Sequence, residues 1–269
     1  MHVIPGDIGL ERGNVRFSGV VQIQGSVLSG FSVEAGDDVL VEQTVQAAVV
    51  SCEGGITIRQ GVKGEGRARL SAARSVSALF AEQASIRAGG DVRIRNACVR
   101  CQVRCNGKLT LETEKGNLIG GKAQARRGLS VQNLGSPSGT RTEISFGQDY
   151  ALLERIEQEQ AGQARLAAKL SELKQRVHYL ERPGFDRREL ELAVAERREA
   201  QNATEEGAKR LAALEEQFKQ NYPAEVTVRG VLYPGVVLES HGRTWSPTAE
   251  KHRITLRYDP KERVIVEKP

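Results

Sequence analysis

A short unit recurs along the first half of the chain and limits what it can fold into: two runs of alternating apolar residues joined by a polar or glycine corner. The stretch Ile86 to Ile94, with its corner Gly89-Gly90-Asp91, shows it most plainly. Alternation puts Ile86, Ala88, Val92 and Ile94 on one side and Arg87 and Arg93 on the other. Nine residues cannot bury such an apolar side alone. Stacked copies can, so the repeat predicts an elongated solenoid in place of a globular body built around a cleft.

Aligning the copies gives the anchors Val15, Val33, Val50, Leu70, Ile86, Val103 and Ala123. Their partners in the second short run are Val21, Val39, Ile56, Val76, Val92, Leu109 and Leu129. Successive anchors lie 18, 17, 20, 16, 17 and 20 residues apart. That spacing does not keep the strict six-residue faces of a left-handed hexapeptide prism. About three short strands per turn, stacked about 4.8 Å apart, fit a right-handed parallel β-helix over residues 1–147. Corners at Gly36-Asp37-Asp38, Gly54-Gly55, Gly89-Gly90-Asp91, Asn106-Gly107 and Gly120-Gly121 supply residues that tolerate the sharp bends. The glycine-rich run from Gly61 to Gly66 opens no helix after a strand, which argues against a nucleotide-binding loop.

From Gly135 to Gly147 the chain turns to Ser, Pro, Gly and Thr and reads as a linker leaving the solenoid. Residues 148–221 then carry heptads. One seam runs through Leu152, Ile156, Leu166, Leu170, Leu173, Val177 and Leu180, interrupted by Glu159 and Gln163, and stops at Pro183-Gly184. The other begins at an N-cap, Asp186 with Glu189 three residues on, and follows Leu190, Ala193, Ala200, Thr204, Leu211, Leu214 and Phe218. The two predict an antiparallel coiled-coil hairpin with arms about 45 Å long. Strand patterns return over residues 222–269, around a Tyr233-Pro234-Gly235 turn, and are expected to extend or cap the β-helix. The predicted class is mainly β with an α insertion.

Aromatic residues make up only 4% of the chain, as suits a narrow interior filled by Val, Ile, Leu and Ala. No apolar run approaches membrane-spanning length and no leader pattern opens the chain, so a cytoplasmic protein without a membrane span is expected. Cys98 and Cys101 have the spacing of a metal or redox pair. Cys101 and Cys105 nevertheless alternate with Val99 and Val103, which makes them small core residues. Neither His2, His178, His241 nor His252 has a nearby Ser, Cys or carboxylate pair of the kind catalysis requires. The expectation is therefore no enzyme, no catalytic residue, no metal and no cofactor.

Charge is unevenly spread. Residues 1–50 hold six acids and two arginines, a net of −4, while residues 51–130 hold fifteen Lys/Arg and six acids, a net of +9. Arg87, Arg93, Arg95, Arg100, Arg104 and Lys108 fall at outward or corner positions of successive repeats and form a candidate basic stripe. An acidic protein partner fits it, as does homo-oligomerisation of acidic on basic solenoid ends, and a solvated basic face that keeps the edges from aggregating fits it equally. Nucleic acid fits less well, because no aromatic residue lies between Phe80 and Phe146 to stack on a base. A basic module for nucleic acid or an anionic surface is the alternative.

Several stretches carry a family resemblance: Gly13 to Gly19, Val27 to Val33, Gly89 to Ile94, Leu118 to Lys122, Gly135 to Thr142 and Tyr233 to Val236. Together with the order of solenoid, coiled coil and terminal strands, they resemble the bacterial flagellar assembly protein A family. Its domain is similar in style to the β-helices of bactofilins and of the C-terminal part of the division inhibitor MinC. The resemblance implies a non-enzymatic scaffold in flagellar assembly or polar organisation, placed in the cytoplasm at the cell pole or flagellar base. Members of that family carry a further domain ahead of the solenoid, whereas about a dozen residues precede the first aligned repeat here.

Overall fold

The computed structural model describes residues 1–182 and 184–268. It separates into two units, Met1–Ala151 with Asn221–Pro269, and Leu152–Gln220.

The first unit is a parallel β-solenoid of about eight turns, each turn passing through three faces. On the first face Val15, Val33, Val50, Leu70, Ile86, Val103, Ala123, Ile144 and Leu238 stack in register. The second face stacks Val21, Val39, Ile56, Val76, Val92, Leu109, Leu129 and Val226. A third column runs from Ile8 and Val27 through Val62, Ala81 and Cys98 to Leu134 and Leu232. The three columns converge on one continuous core. Each fully buried Val, Leu or Ile contributes about 1.5–3 kcal/mol over leaving it in water.

The anchor alignment is the register that forms. At the ends the solenoid runs beyond the stretch the repeat marks. It begins a turn earlier, with His2–Ile4 beside Val21–Ile23 and Ile8 beside Val27. The Ser- and Gly-rich stretch after Gly135 is only partly a linker. Its second half, Thr142–Phe146, is a strand that pairs with Gly121 to Ala125 and turns Ile144 and Phe146 into the core. The Ser136, Ser138 and Thr140 hydroxyls bond one another in the turn before it, which satisfies the polar groups the composition advertised.

The two long repeats have local causes. Register breaks between Lys63 and Ala68, where Gly64 to Arg67 bulge outward, and the corner from Glu112 to Gly116 adds residues before Asn117. Two kinds of corner close the turns. At one, Ala47, Gln83 and Arg100 adopt left-handed φ of 40°, 47° and 51°, a conformation usually left to glycine. At the others an aspartate reaches across to the next turn. Asp38 Oδ1 accepts the Gly55 N–H at 2.7 Å and Asp91 Oδ1 accepts the Lys108 N–H at 2.9 Å. The carboxylates need empty space beside them. A Cβ on Gly54 or Gly107 would stand 2.3 or 2.1 Å from the Asp oxygen.

The far end of the solenoid is closed by antiparallel pairing. Glu225–Leu232 lies parallel to Gly128–Val131 on one side and antiparallel to Lys251–Asp259 on the other, and Val264–Glu267 follows. On the first face Val236–Ser240 is covered in the same way by Arg243–Trp245. Lateral strands therefore end the stack where a further parallel turn would otherwise be templated.

The second unit is a pair of helices, α1 (Ala151–Leu180) and α2 (Arg187–Phe218). Asp186 caps α2 by accepting the Arg188 N–H at 3.0 Å, as the capping pattern predicts. Of the residues assigned to the end of the first seam, Pro183 lies outside the described residues. The helices run antiparallel: Arg176 pairs with Glu189 and Glu196, while Glu159 pairs with Arg210 at the opposite end. Val177, Leu180 and Ala193 form the buried seam near the turn. In the thin middle, Gln163 donates to the Thr204 carbonyl at 3.1 Å, and Gly207 makes room, since a Cβ there would stand 2.0 Å from the Gln163 amide. A partly buried polar pairing at a seam position of this kind fixes helix register at some cost in stability.

Glycine-to-alanine changes should therefore have opposite signs at two sites. Gly107→Ala is expected to destabilise the solenoid by about 1–3 kcal/mol through overpacking on Asp91 and Gly90. Gly162→Ala, inside α1 with nothing within 4 Å, should stabilise its helix by about 0.5–1 kcal/mol. Thermal melts followed by circular dichroism check both signs. Val92→Asp, placing a charge on a fully buried position, should unfold the solenoid more severely than Gly107→Ala in the same melts.

Candidate functional site

Alternation decides which side chains leave the core, and stacking decides which of those stand together. The residues that flank the anchors point outward, so the outer surface of the first face can be read turn by turn. Over four successive turns it carries Arg69 and Ser71, Ser85 and Arg87, Gln102 and Arg104, then Lys122 and Gln124. Four cations share this strip with no acidic residue among the eight. At either end the sequence of charges changes: Arg16 pairs with Glu34 at 3.2 Å and Arg141 with Glu143 at 2.7 Å. The basic segment is thus bounded by paired charges.

The six residues of the candidate stripe are divided around the solenoid. Arg87 and Arg104 stand in register on adjacent turns of the first face, and Arg104 Nε donates to Gln124 Oε1 at 3.1 Å. Arg100 occupies the neighbouring left-handed corner and overhangs the same face. Arg93 points from the second face, between Ser77 and Thr110, and is paired with Asp91 at 3.2 Å. Arg95 follows Ile94 at the end of the second face, and its carbonyl accepts the Thr113 hydroxyl at 2.9 Å. Lys108 sits at the corner between first and second faces, held by its N–H to Asp91. The structure brings together Arg87, Arg100 and Arg104, and keeps Arg93, Arg95 and Lys108 apart from them.

Two cations of the strip, Arg69 and Lys122, are absent from the stripe although each immediately precedes an anchor, Leu70 and Ala123. Reading outward positions relative to the anchors, in place of picking cations from consecutive sequence, would have found them.

A groove of about 720 Å³ lies along this face. Ser71, Ser85 and Gln102 line it together with Arg69, Arg87 and Arg100, and the outward bulge at Glu65 and Gly66 forms one wall. A smaller hollow of about 260 Å³ continues it past Arg104 to Lys122 and Gln124. Glu65, the one acid in the groove, is paired with Arg67 at 2.9 Å. The lining has hydroxyl, amide and guanidinium groups, with neither a thiol nor an imidazole to act as nucleophile or base. These groups can donate and accept hydrogen bonds and carry positive charge.

The cysteines lie elsewhere. Cys98, Cys101 and Cys105 are free thiols buried in the core. The Cys98 thiol donates to Cys101, which holds Cys98 protonated well above its ordinary range and lowers Cys101; burial pushes Cys105 up to about 12. Among the described residues no group of three His, Cys, Asp or Glu is placed to hold a metal ion.

One serine–histidine contact joins sequence neighbours to which the sequence analysis gave no role. Ser240 Oγ lies 2.9 Å from His241 Nδ1, but it is fully buried and donates to the Phe146 carbonyl at 2.8 Å. His241 holds a left-handed φ of 52° and stacks on Tyr258 with ring centroids 4.4 Å apart. The pair therefore braces a turn, and the hydroxyl is out of reach of a substrate.

Among the described residues no helix is long and apolar enough to cross a membrane. Comparison with known proteins returned one family. No curated protein and no solved structure matches the chain. The model of the Flagellar Assembly Protein A beta solenoid domain matches residues 1–263, a span that takes in all three faces and both helices. On that match, and with the stacked solenoid it describes, the chain belongs to the flagellar assembly protein A family.

Proposed function

We propose that the protein is a non-enzymatic scaffold of flagellar assembly or polar organisation, working in the cytoplasm through protein contacts made by the first solenoid face. The observation that carries this reading is a cation on each of four successive turns, Arg69, Arg87, Arg104 and Lys122, on one face of a flagellar-assembly family member. Core stacking holds the backbone under these side chains, with Arg87 and Arg104 in register on adjacent turns about 4.8 Å apart and Arg69 and Lys122 in the neighbouring column. A surface of one sign selects an oppositely charged partner and speeds encounter with it. The partner is accordingly an acidic protein.

The non-enzymatic reading is supported by what lines the groove: among the described residues its single carboxylate is paired, Cys98, Cys101 and Cys105 are in the core, and Cys52 is not part of its lining. Nucleic acid is the second reading considered. It finds cations here but no aromatic surface for bases, since Phe80 and Phe146 lie outside the strip.

In a flagellated host, loss of the gene should change flagellar number or placement and reduce swimming. Re-expression of the native chain should restore both, and Arg87→Glu/Arg104→Glu, folded to the same melting temperature, should fail to do so. Normal flagella and motility in the null strain would remove the assembly role. Full rescue by the double variant would remove the first face from it.

A further inference from the structure

The basic strip is narrow, and its width restricts what can dock there. Four turns at about 4.8 Å give roughly 14 Å between the first and last cation. A folded partner in a stable complex needs about 800 Å² on each side, far more than one strip of outward side chains presents. An extended chain of four or five residues, at about 3.4 Å each, has the matching length.

The lining narrows the chemistry further. Ser71, Ser85 and Gln102 each offer both a donor and an acceptor, while the Gln124 carbonyl is taken by Arg104. A peptide backbone supplies N–H and C=O groups to meet both. A phosphodiester backbone supplies acceptors alone and would leave the Gln102 carbonyl unmet. Guanidinium groups at Arg69, Arg87, Arg100 and Arg104 suit carboxylates, which they bind in forked pairs. The exposed residues Glu65 and Gly66 border the groove.

We infer that this groove takes an extended acidic peptide segment, rich in Asp or Glu, of a partner protein. The inference rests on the protein-contact reading above and adds the form in which the partner is held. Side chains alternate along an extended segment, so carboxylates on one side face the arginines while the other side faces solvent. Recognition of this kind needs no rearrangement of the solenoid.

The test uses the full chain and fluorescein-labelled decapeptides followed by anisotropy. An alternating Glu-Ser peptide should bind, and a Gln-Ser peptide of equal length should not. Arg87→Gln/Arg104→Gln should weaken the Glu-Ser complex by about tenfold or more. Arg93→Gln, on the second face, should leave it unchanged, and Ser85→Tyr, filling the groove without changing charge, should weaken it. Matching melting temperatures confirm that the variants fold. Equal losses from Arg93→Gln and the double variant would mean unspecific charge attraction and would overturn the groove. Tighter binding of a ten-nucleotide oligothymidylate than of the Glu-Ser peptide would overturn it in favour of nucleic acid. Absence of peptide binding would also overturn it. The flagellar phenotype of the null strain would stand independently of any of these outcomes.

Discussion

Everything in the solenoid depends on like residues stacking in register on successive turns. Val92 lies between Val76 and Leu109, and Ile86 between Leu70 and Val103, so each buried side chain is packed from above and below by its own counterparts. The hydrogen-bond ladder and the apolar core are thus built by the same repetition. A shift of one residue would send Arg87 and Arg93 inward and Ile86 and Val92 into water, which is why the register is strongly specified.

Corners carry the next constraint. A turn that bends three times in some seventeen residues leaves little room, and the chain meets this with two devices. In one, a left-handed residue makes the bend, including Gln83 and Arg100 where the surrounding ladder holds a side chain in an unfavourable conformation. In the other, Asp38 or Asp91 bonds the backbone of the next turn over a glycine that leaves it space. The rigidity this produces is also what a recognition surface requires, since positions on the outer face are fixed before any partner arrives.

Much of the fold is legible in the sequence because alternation and repetition are local signals. Each of the seven anchors stacks on the next, and Asp186 caps the helix it was expected to cap. What is less legible is weakly patterned or nonlocal. The first turn, around Ile4 and Ile8, is too short to show a repeat, and Thr142–Phe146 is masked by the Ser- and Gly-rich turn before it. The site is harder still. Arg93 and Arg95 are close to Arg87 along the chain yet on other parts of the circumference, while Arg69 and Lys122 are distant along the chain and share its face. Neighbourhood on a solenoid follows the turn length, so charge read along consecutive residues mixes faces.

The family match places the protein in the flagellar assembly protein A family, and the proposal assigns its partner contacts to the first face. A photo-crosslinking amino acid placed at Ser85, on the groove, and separately at Thr110, on the second face, tests this directly in a flagellated host. The account predicts that Ser85 captures a protein through an acidic segment and that Thr110 does not. Equal capture at both positions, or capture of nucleic acid at Ser85, would contradict it.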